Sequence, residues 1–573
     1  MRSTMTIWWR LAVITTALAL SACDQPTNPI NTADAPDMVL LGGKVLTVDA
    51  NNATAEAIAI TGNRISAVGG TTEIRALVGE NTSIVELDGR TVIPGLTDSH
   101  IHVIRAGLTW AQEISWADIP TLDEALGRVR NAAASTPDGE WLIVAGGWHK
   151  FQFVEKRLPS AAEVSEAAGN HPIYVQYLYD TAILNQAAMS ALSIATDADV
   201  PPNGTLRLDA SGAPTGEIDG TIGVFHRLQG ALPKPDFATQ VAGTKQFMAE
   251  LNRLGMTSFS DGSGGSQYPE GYKPLFHIWQ NGEMTMRVAY RLMSQNRGQE
   301  LADLQNLTQL LPQGFGDDWL RFNGFGEVII WGMHDGSRAR PEFNPSSEAR
   351  ASLVETLTWI AENRYSMEIH ASSDSSAQQI LDILDDINNS TPIADLRWSI
   401  LHIDAASNST LTRMKALGVA YGIQDRLYFD GETLVETFGA EHARSAPPLK
   451  TALNTGLMVV GGTDAPAVGP YNPWVAVRWI LDGKTVNGVT IRSAEEIPSR
   501  EEALRMYTQN GAWLQFAENE RGSIETGKLA DIAILSDDYM NMPVEDLNQI
   551  TSLLTIVDGE VVYADAPFTN SAP

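Results

Sequence analysis

Residues 91–102, TVIPGLTDSHIH, constrain the fold of this chain more than any other dozen residues. A run of β-branched residues leads into a Pro-Gly bend, and His100 and His102 follow with one residue between them. Residues two apart in a strand project from the same face, so the two imidazoles point to one side and Ile101 to the other. Neutral imidazole is the commonest metal ligand and suits zinc, iron, nickel or copper. The segment therefore predicts a strand that ends in two metal ligands.

This segment resembles the first barrel strand of the amidohydrolase superfamily, in which an apolar run leads into P-G-L/F-x-D-x-H-x-H. The resemblance extends over most of the chain. Within the superfamily, the chain is similar to the N-substituted formamide deformylase-like branch of metal-dependent hydrolases. The resemblance implies a divalent metal cofactor, with zinc expected, as one or two ions.

Eight strand-like runs alternate with helical stretches, and this alternation predicts an α/β fold built on a (β/α)8 TIM barrel. The barrel is expected to span residues 91–514. The interval 105–252 is too long for one strand–helix unit and predicts a long insertion after the first barrel strand. It is rich in aromatic residues, which serve either as a core of the insertion or as a site for an apolar or aromatic group of the substrate. The runs lie at residues 91–102, 256–261, 285–292, 320–330, 366–371, 398–403, 418–424 and 457–464.

Both ends of the chain read as short strands with a period of two, at residues 38–90 and 515–567. They resemble the small β-sandwich that amidohydrolases build from their two termini beside the barrel.

The first 22 residues read as a lipoprotein-type signal peptide, with a basic start and an apolar stretch too short to span a bilayer. Cys23 follows Leu-Ser-Ala and is the only cysteine, so it is predicted to be lipidated and the chain has no disulfide. Residues 23–37 are polar and predict a tether. The expected location is the bacterial cell envelope, lipid-anchored to the membrane and facing the periplasm.

A net charge of −30 argues against nucleic acid as a partner, because phosphate binding needs basic patches. The expected partners are a small-molecule amide-type substrate and, through the anchor, a membrane. The sequence leaves the oligomeric state open.

The resemblance implies three more metal ligands at later strand ends, at His370 in E-I-H-A, His402 in S-I-L-H and Asp464 in G-G-T-D-A-P. At the second of these, Leu401 replaces a glutamate that is usual in this branch. Asp464 is also the predicted catalytic residue, because its carboxylate can take a proton from water and pass it to the leaving nitrogen.

Glu327 occupies the position where relatives usually carry a carbamylated lysine that bridges two ions. No lysine lies between residues 275 and 415, so that adduct is unavailable on this strand. A glutamate has two oxygens and can bridge two ions itself, and Glu327 is therefore predicted as a metal ligand.

Asp180, His334 and Arg444 are predicted as substrate-binding residues. Asp180 stands where this branch often has Asp-Gly-His, and Arg444 precedes the eighth strand as an arginine does in relatives. For His334, its neighbour Asp335 and His226, three interpretations stay open: groups that support the ligands, groups that bind substrate, or polar loop residues.

Together these features predict a metal-dependent hydrolase that cleaves a non-peptide C–N bond, of the amide or formamide type, with Asp464 as general base and then acid. Two alternatives stay open. One is a cyclic-amide hydrolase or metallo-dipeptidase on the same scaffold, and the other is a non-catalytic solute-binding lipoprotein.

Overall fold

The computed structural model describes residues 35–265 and 267–571. Its centre consists of eight parallel strands that the chain reaches in order, each close to one of the eight predicted runs. They are β1 (Leu96–Ile101), β2 (Met256–Asp261), β3 (Arg287–Leu292), β4 (Leu320–Phe325), β5 (Glu368–Ala371), β6 (Ser399–His402), β7 (Ala420–Gln424) and β8 (Val459–Gly462).

The eight strands form two four-stranded parallel sheets, with the orders β4-β3-β2-β1 and β5-β6-β7-β8. The edges of these sheets adjoin. Phe325 at the end of β4 forms a parallel bridge with Met367, and the amide of Asp464, just after β8, donates to the carbonyl oxygen of His100 in β1 at 2.8 Å. The arrangement is an α/β fold consistent with a TIM barrel.

Helices separate the strands and cover the outer surface of the sheets. Ser347–Glu362 and Asp374–Ser390, for example, bury Leu357 and Ile380 in the same hydrophobic core as the strands. The helices outside the insertion and the chain ends are Val103–Gly107, Phe237–Arg253, Lys273–Gln280, Glu300–Leu307, Ser347–Glu362, Asp374–Ser390, Asn408–Leu417, Arg426–Phe438, Ala440–Ala443, Leu449–Asn454, Pro473–Asp482, Arg500–Met506 and Gln509–Leu514.

The predicted first barrel strand is two strands, which corrects the interpretation of residues 91–102 as one. Thr91–Pro94 pairs with Ile532–Leu535 and with Lys44–Leu46, so it belongs to the sheets formed by the chain ends. Gly95 separates it from β1, and a Cβ at that position would lie only 2.1 Å from the side chain of Thr257. The predicted fourth strand is likewise shorter, because β4 ends at Phe325 and residues 326–330 form the loop after it.

The chain ends form two sheets that share one hydrophobic cluster. Leu40 and Ile58 of the smaller sheet pack in this cluster with Val92, Ile534 and Ile556 of the larger one. The smaller sheet has the order Arg64–Gly69, Ala57–Thr61, Met38–Leu41, Ser83–Glu86, and the larger has the order Glu560–Ala564, Ser552–Val557, Ile532–Leu535, Thr91–Pro94, Lys44–Leu46, Thr54–Ala55. The short helix Thr71–Arg75 packs against the smaller sheet.

The predicted insertion contains a separate five-stranded sheet with its own hydrophobic clusters on both faces. We call residues 122–231, which contain this sheet and its helices, the cap. Phe237–Arg253 lies within the predicted boundaries of 105–252, yet it buries Phe247 and Leu251 in the core around the eight strands. The sheet order is Thr205–Leu208, Pro214–Asp219, Thr181–Leu184, Ile173–Tyr177, Leu142–Val144, and the cap helices are Leu122–Ser135, Ala161–Ala168, Gln186–Ala191 and Ile222–Ala231.

The predicted signal peptide, Cys23 and most of the predicted tether lie outside the described residues. Among the helices of residues 35–265 and 267–571, none is both long and apolar enough to cross a membrane.

Candidate metal centre

The structure brings the six predicted metal ligands together at one end of the parallel strands. His100 and His370 are the second-to-last residues of β1 and β5, and His402 is the last residue of β6. The other three, His102, Glu327 and Asp464, each follow a strand end by one or two residues. The carboxyl ends of parallel strands in such a fold face one side, and this is the side where catalytic groups of TIM barrels lie.

The ligand atoms form three overlapping groups, in each of which all atoms lie within 4.8 Å of one another. The shared residues His100, Glu327 and His402 join the groups into one centre. The groups are His100–His102–Glu327, His100–His402–Asp464 and Glu327–His370–His402.

Each of the two carboxylates faces several imidazoles. Oε2 of Glu327 lies 3.1 Å from Nε2 of His402 and 3.4 Å from Nδ1 of His370. Oδ1 of Asp464 lies 3.1 Å from Nε2 of His102 and 3.5 Å from Nε2 of His100. This arrangement has enough donor atoms for one or two divalent ions.

Hydrogen bonds to backbone carbonyls define which imidazole nitrogens face the centre. A carbonyl oxygen can only accept, so Nδ1 of His102 donates to Ser263 at 2.8 Å and Nε2 of His370 donates to Gly336 at 2.8 Å. The remaining nitrogens, Nε2 of His102 and Nδ1 of His370, are therefore unprotonated in the neutral rings and available to a cation.

Two further nitrogens fit a metal because they have no other partner. Nε2 of His100 and Nδ1 of His402 are buried, and among the described residues neither has a hydrogen-bond partner. Buried polar atoms normally have one, and a bound cation would satisfy both. Imidazole and carboxylate donors are those that zinc takes at catalytic sites.

Both carboxylates are ionised in this environment. Burial alone raises the pKa of a carboxyl, but contacts with His100 and His102 hold the pKa of Asp464 well below its usual range. Burial is likewise outweighed at Glu327, where His370 and His402 lower the pKa. Burial lowers the pKa of His402 to about 4, so that imidazole is neutral. The ionised carboxylates and the neutral His402 match what a metal ligand requires. The neighbouring carboxylates, against the effect of burial, raise the pKa of His370 to about 10 and also raise the pKa values of His100 and His102, so a bound metal would displace protons from these rings.

Two neighbours of the centre were missed or only partly recognised in the sequence. Glu368 is fully buried, and its Oε1 lies 3.0 Å from Nδ1 of His100 while its Oε2 lies 3.0 Å from Nε of Arg291. Asp335 contacts a different ligand, since its Oδ1 lies 3.1 Å from Nε2 of His370. Glu368 stands two residues before His370 in the same strand, so the period of two could have placed it on the face of the metal ligands.

A cavity of about 430 Å³ opens onto the centre, and the cap forms part of its wall. Five predicted ligands line it, namely His102, Glu327, His370, His402 and Asp464, and so does the predicted substrate residue His334. The cap contributes Ile143, Tyr174, Tyr179 and His226 to the opposite wall, and Arg105, Trp331 and Arg426 also line the cavity.

Two of the predicted substrate-binding residues do not line this cavity, which corrects those predictions. Asp180 points to Arg338, whose Nη1 lies 3.5 Å from Oδ1. Arg444 is exposed after the short helix Ala440–Ala443, on the outer surface. Arg426, which was not predicted, lines the cavity instead and pairs with Asp404 at 2.9 Å.

Most aromatic residues of the insertion form its core. Trp116, Trp148, Phe153 and Tyr177 pack together in one cluster. Tyr174, by contrast, lines the cavity. The cap therefore uses its aromatic residues mainly for its own stability.

Residues 83–563 match the amidohydrolase family, and the chain belongs to that family. The N-substituted formamide deformylase of Arthrobacter pascens is 25% identical over 545 residues, which cover 92% of this chain and 98% of that protein. The protein LONG AFTER FAR-RED 3 of Arabidopsis thaliana is 24% identical over 556 residues, covering 92% of this chain and 91% of that protein.

The crystal structure of an uncharacterized metal-dependent hydrolase from Pyrococcus horikoshii has the same fold. It aligns with a TM-score of 0.65 and 18% identity, covering 89% of this chain and 99% of the other. The family match identifies this chain as a hydrolase of the amidohydrolase family, and its grouped ligand atoms could hold a metal ion.

Proposed function

We propose that this protein hydrolyses a non-peptide C–N bond in a small N-substituted amide, with N-substituted formamides as the leading class. The observation that carries the proposal is the grouping of six metal-ligand candidates, five of which, Asp464 among them, line one cavity. The name of the Arthrobacter pascens relative supports formamides as substrates. We take the scaffold to be a closed (β/α)8 barrel with a β-sandwich formed by both chain ends.

The proposed metal is zinc, as one or two ions, held by His100, His102, Glu327, His370, His402 and Asp464. When bound, a divalent zinc ion supplies Lewis-acid polarisation of a carbonyl and a water molecule whose pKa is about 7. Asp464 accepts the proton of the attacking water, because it is ionised and lies in the cavity. It then donates this proton to the nitrogen that leaves as an amine.

Turnover of defined substrates by the zinc-loaded protein tests this function. The panel contains N-phenethylformamide, N-butylformamide, a cyclic amide and a dipeptide, and the protein's zinc content is measured in the same sample. Release of formate and amine from the formamides, lost on chelation, supports the proposal. Cleavage of only the cyclic amide or the dipeptide favours those alternatives. Binding without turnover of any compound favours the solute-binding alternative, in spite of the assembled centre.

We also propose that the mature protein begins at Cys23 and is lipid-anchored to a membrane, facing the periplasm. The motif Leu-Ser-Ala-Cys after a short apolar stretch carries this proposal. Wild-type protein expressed in a bacterium should label with palmitate and fractionate with membranes, and Cys23→Ser should do neither. Membrane fractionation and unchanged processing of Cys23→Ser would contradict the anchor.

A further inference from the structure

Tyr179 and His226 are polar side chains of the cap that line the same cavity as the metal centre. Tyr179 follows the strand Ile173–Tyr177, and His226 lies in the helix Ile222–Ala231. Both line the cavity together with Glu327 and Asp464. Neither is a metal-ligand candidate, and the reaction described above gives neither a role.

Aromatic contacts hold the two rings in place. The rings of Tyr179 and His226 meet edge to face, with centroids 5.8 Å apart and planes at 88°. The rings of His226 and Trp331 also meet edge to face, with centroids 6.4 Å apart and planes at 83°. Edge-to-face pairs at such distances are favourable, so the imidazole has a fixed direction in the cavity.

The segment 262–265 runs from the neighbourhood of His102 to that of His226. A Cβ at Gly262 would lie 3.0 Å from Cε1 of His102, and a Cβ at Gly265 would lie 3.2 Å from Nδ1 of His226. Three residues of chain span at most about 10 Å. His226 therefore lies near the metal centre, and both line the same cavity.

Both side chains are neutral hydrogen-bond donors. Burial, reinforced by Asp464 and Glu327, raises the pKa of Tyr179 to about 12, so the hydroxyl keeps its proton. Burial lowers the pKa of His226 to about 4, so the imidazole is uncharged and carries one N–H.

We propose that Tyr179 and His226 are catalytic residues that donate hydrogen bonds to the carbonyl oxygen of an N-substituted amide as negative charge develops there. This inference rests on the proposed function, because it concerns the same reaction. Fixed neutral donors aimed at the developing charge stabilise it, and loss of one donor typically lowers kcat about 100- to 1,000-fold. The cap therefore supplies part of the chemistry and also covers the centre.

Tyr179→Phe and His226→Phe test the proposal, with Tyr563→Phe and His442→Phe as matched variants outside the cavity. In the two cavity variants, kcat for N-phenethylformamide should fall about 100- to 1,000-fold while zinc content stays at the wild-type level. His226→Asn keeps a side-chain N–H and should recover part of kcat, which separates loss of the donor from loss of folding.

A binding measurement gives a second readout. N-phenethyl methylphosphonamidate has a tetrahedral anionic centre, and calorimetry should show that its affinity falls in both cavity variants by a factor similar to the loss in kcat. Affinity for the product phenethylamine should stay unchanged.

Wild-type kcat and wild-type phosphonamidate affinity in both variants would overturn the inference, and a loss confined to one variant would overturn the assignment of the other residue. A wild-type protein that cleaves no amide would instead refute the proposed function, so the two failures can be distinguished.

Discussion

The carboxylate of Glu368 lies 3.0 Å from Nδ1 of His100, and both side chains are fully buried. On its other side Glu368 meets the guanidinium of Arg291, which is buried as well. The carboxylate accepts the proton of Nδ1 and so directs Nε2 of His100 towards the metal centre. Residues that orient a metal-binding histidine in this way fix its tautomer and its ring orientation, and so contribute to metal affinity.

Glu368→Gln should weaken zinc binding about 10- to 100-fold, because the amide orients the His100 ring less strongly than the carboxylate does. It should also lower the free energy of unfolding by about 3 to 5 kcal/mol, because Arg291 loses its counter-charge in the interior. Zinc titration with a competing chelator measures the first effect and denaturant unfolding the second. Glu362→Gln, at an exposed position of the helix Ser347–Glu362, is the control.

Adding Arg291→Met to Glu368→Gln separates the two effects. The double variant has no unpaired charge and should regain stability, while its zinc affinity should stay low. If zinc affinity in Glu368→Gln equals that of the wild type, Glu368 does not orient His100.

Glu327→Gln should reduce zinc binding by at least the factor expected for Glu368→Gln, because Glu327 meets three imidazoles directly. Its Oε2 lies 3.1 to 3.8 Å from the nearest nitrogens of His402, His370 and His100. Loss of a supporting residue costs about 10- to 100-fold, and loss of a ligand costs no less. Zinc per chain after dialysis measures this, with the exposed Glu342→Gln as control. Full zinc content and full activity of Glu327→Gln would remove Glu327 from the centre.

Asp464→Asn should lower kcat about 100- to 10,000-fold, the usual contribution of a positioned acid–base group. The backbone at this position has φ 56°, a conformation that asparagine tolerates, so the fold should be unaffected. The four histidines remain, and part of the zinc should remain with them. Steady-state kinetics on any amide that the wild type cleaves gives the answer, with the exposed Asp537→Asn as control. Wild-type kcat in Asp464→Asn would mean that another group carries the proton.

Removal of metal should lower the melting temperature, and added zinc should restore it. A ligand present at 1,000 times its Kd stabilises the folded state by about 4 kcal/mol. Without a cation, Nε2 of His100 and Nδ1 of His402 stay buried and unpaired, which adds to the cost. Calorimetry of chelated and reloaded protein measures the difference. Equal melting temperatures, with metal removal verified by elemental analysis, would show that no cation is bound at these histidines.

The sequence predicted the parts of the centre that depend on local order along the chain. The ligand roles of His370, His402 and Asp464 followed from the resemblance of their motifs to those of amidohydrolases, and the two-residue spacing of His100 and His102 placed both on one face of a strand. Arg444 was placed wrongly, because nothing in its neighbourhood shows which side of a helix end faces the cavity. Arg291 was missed for a related reason, since its partner Glu368 is on another strand and only packing brings the two together.

The interpretation of residues 91–102 as one strand was wrong for a physical reason as well. Thr91–Pro94 has the β-branched composition of a barrel strand, and composition alone does not distinguish two strands that follow each other through Gly95. Pairing with the distant strand Ile532–Leu535 places Thr91–Pro94 in a sheet of the chain ends and not among the eight parallel strands.

That pairing has a consequence for the order of events during synthesis. Thr91–Pro94 leads directly into the strand that bears His100, and one side of it is held by residues from the far end of the chain. At 5 to 20 residues per second, a ribosome makes Ile532–Leu535 about 20 to 90 s after His100. Until then, the strand Thr91–Pro94, which precedes His100 and His102, has no pairing partner on the side that Ile532–Leu535 later occupies. Completion of the candidate metal centre therefore follows synthesis of residues 532–535, and a chain that ends before residue 532 lacks one of the two strands that pair with Thr91–Pro94.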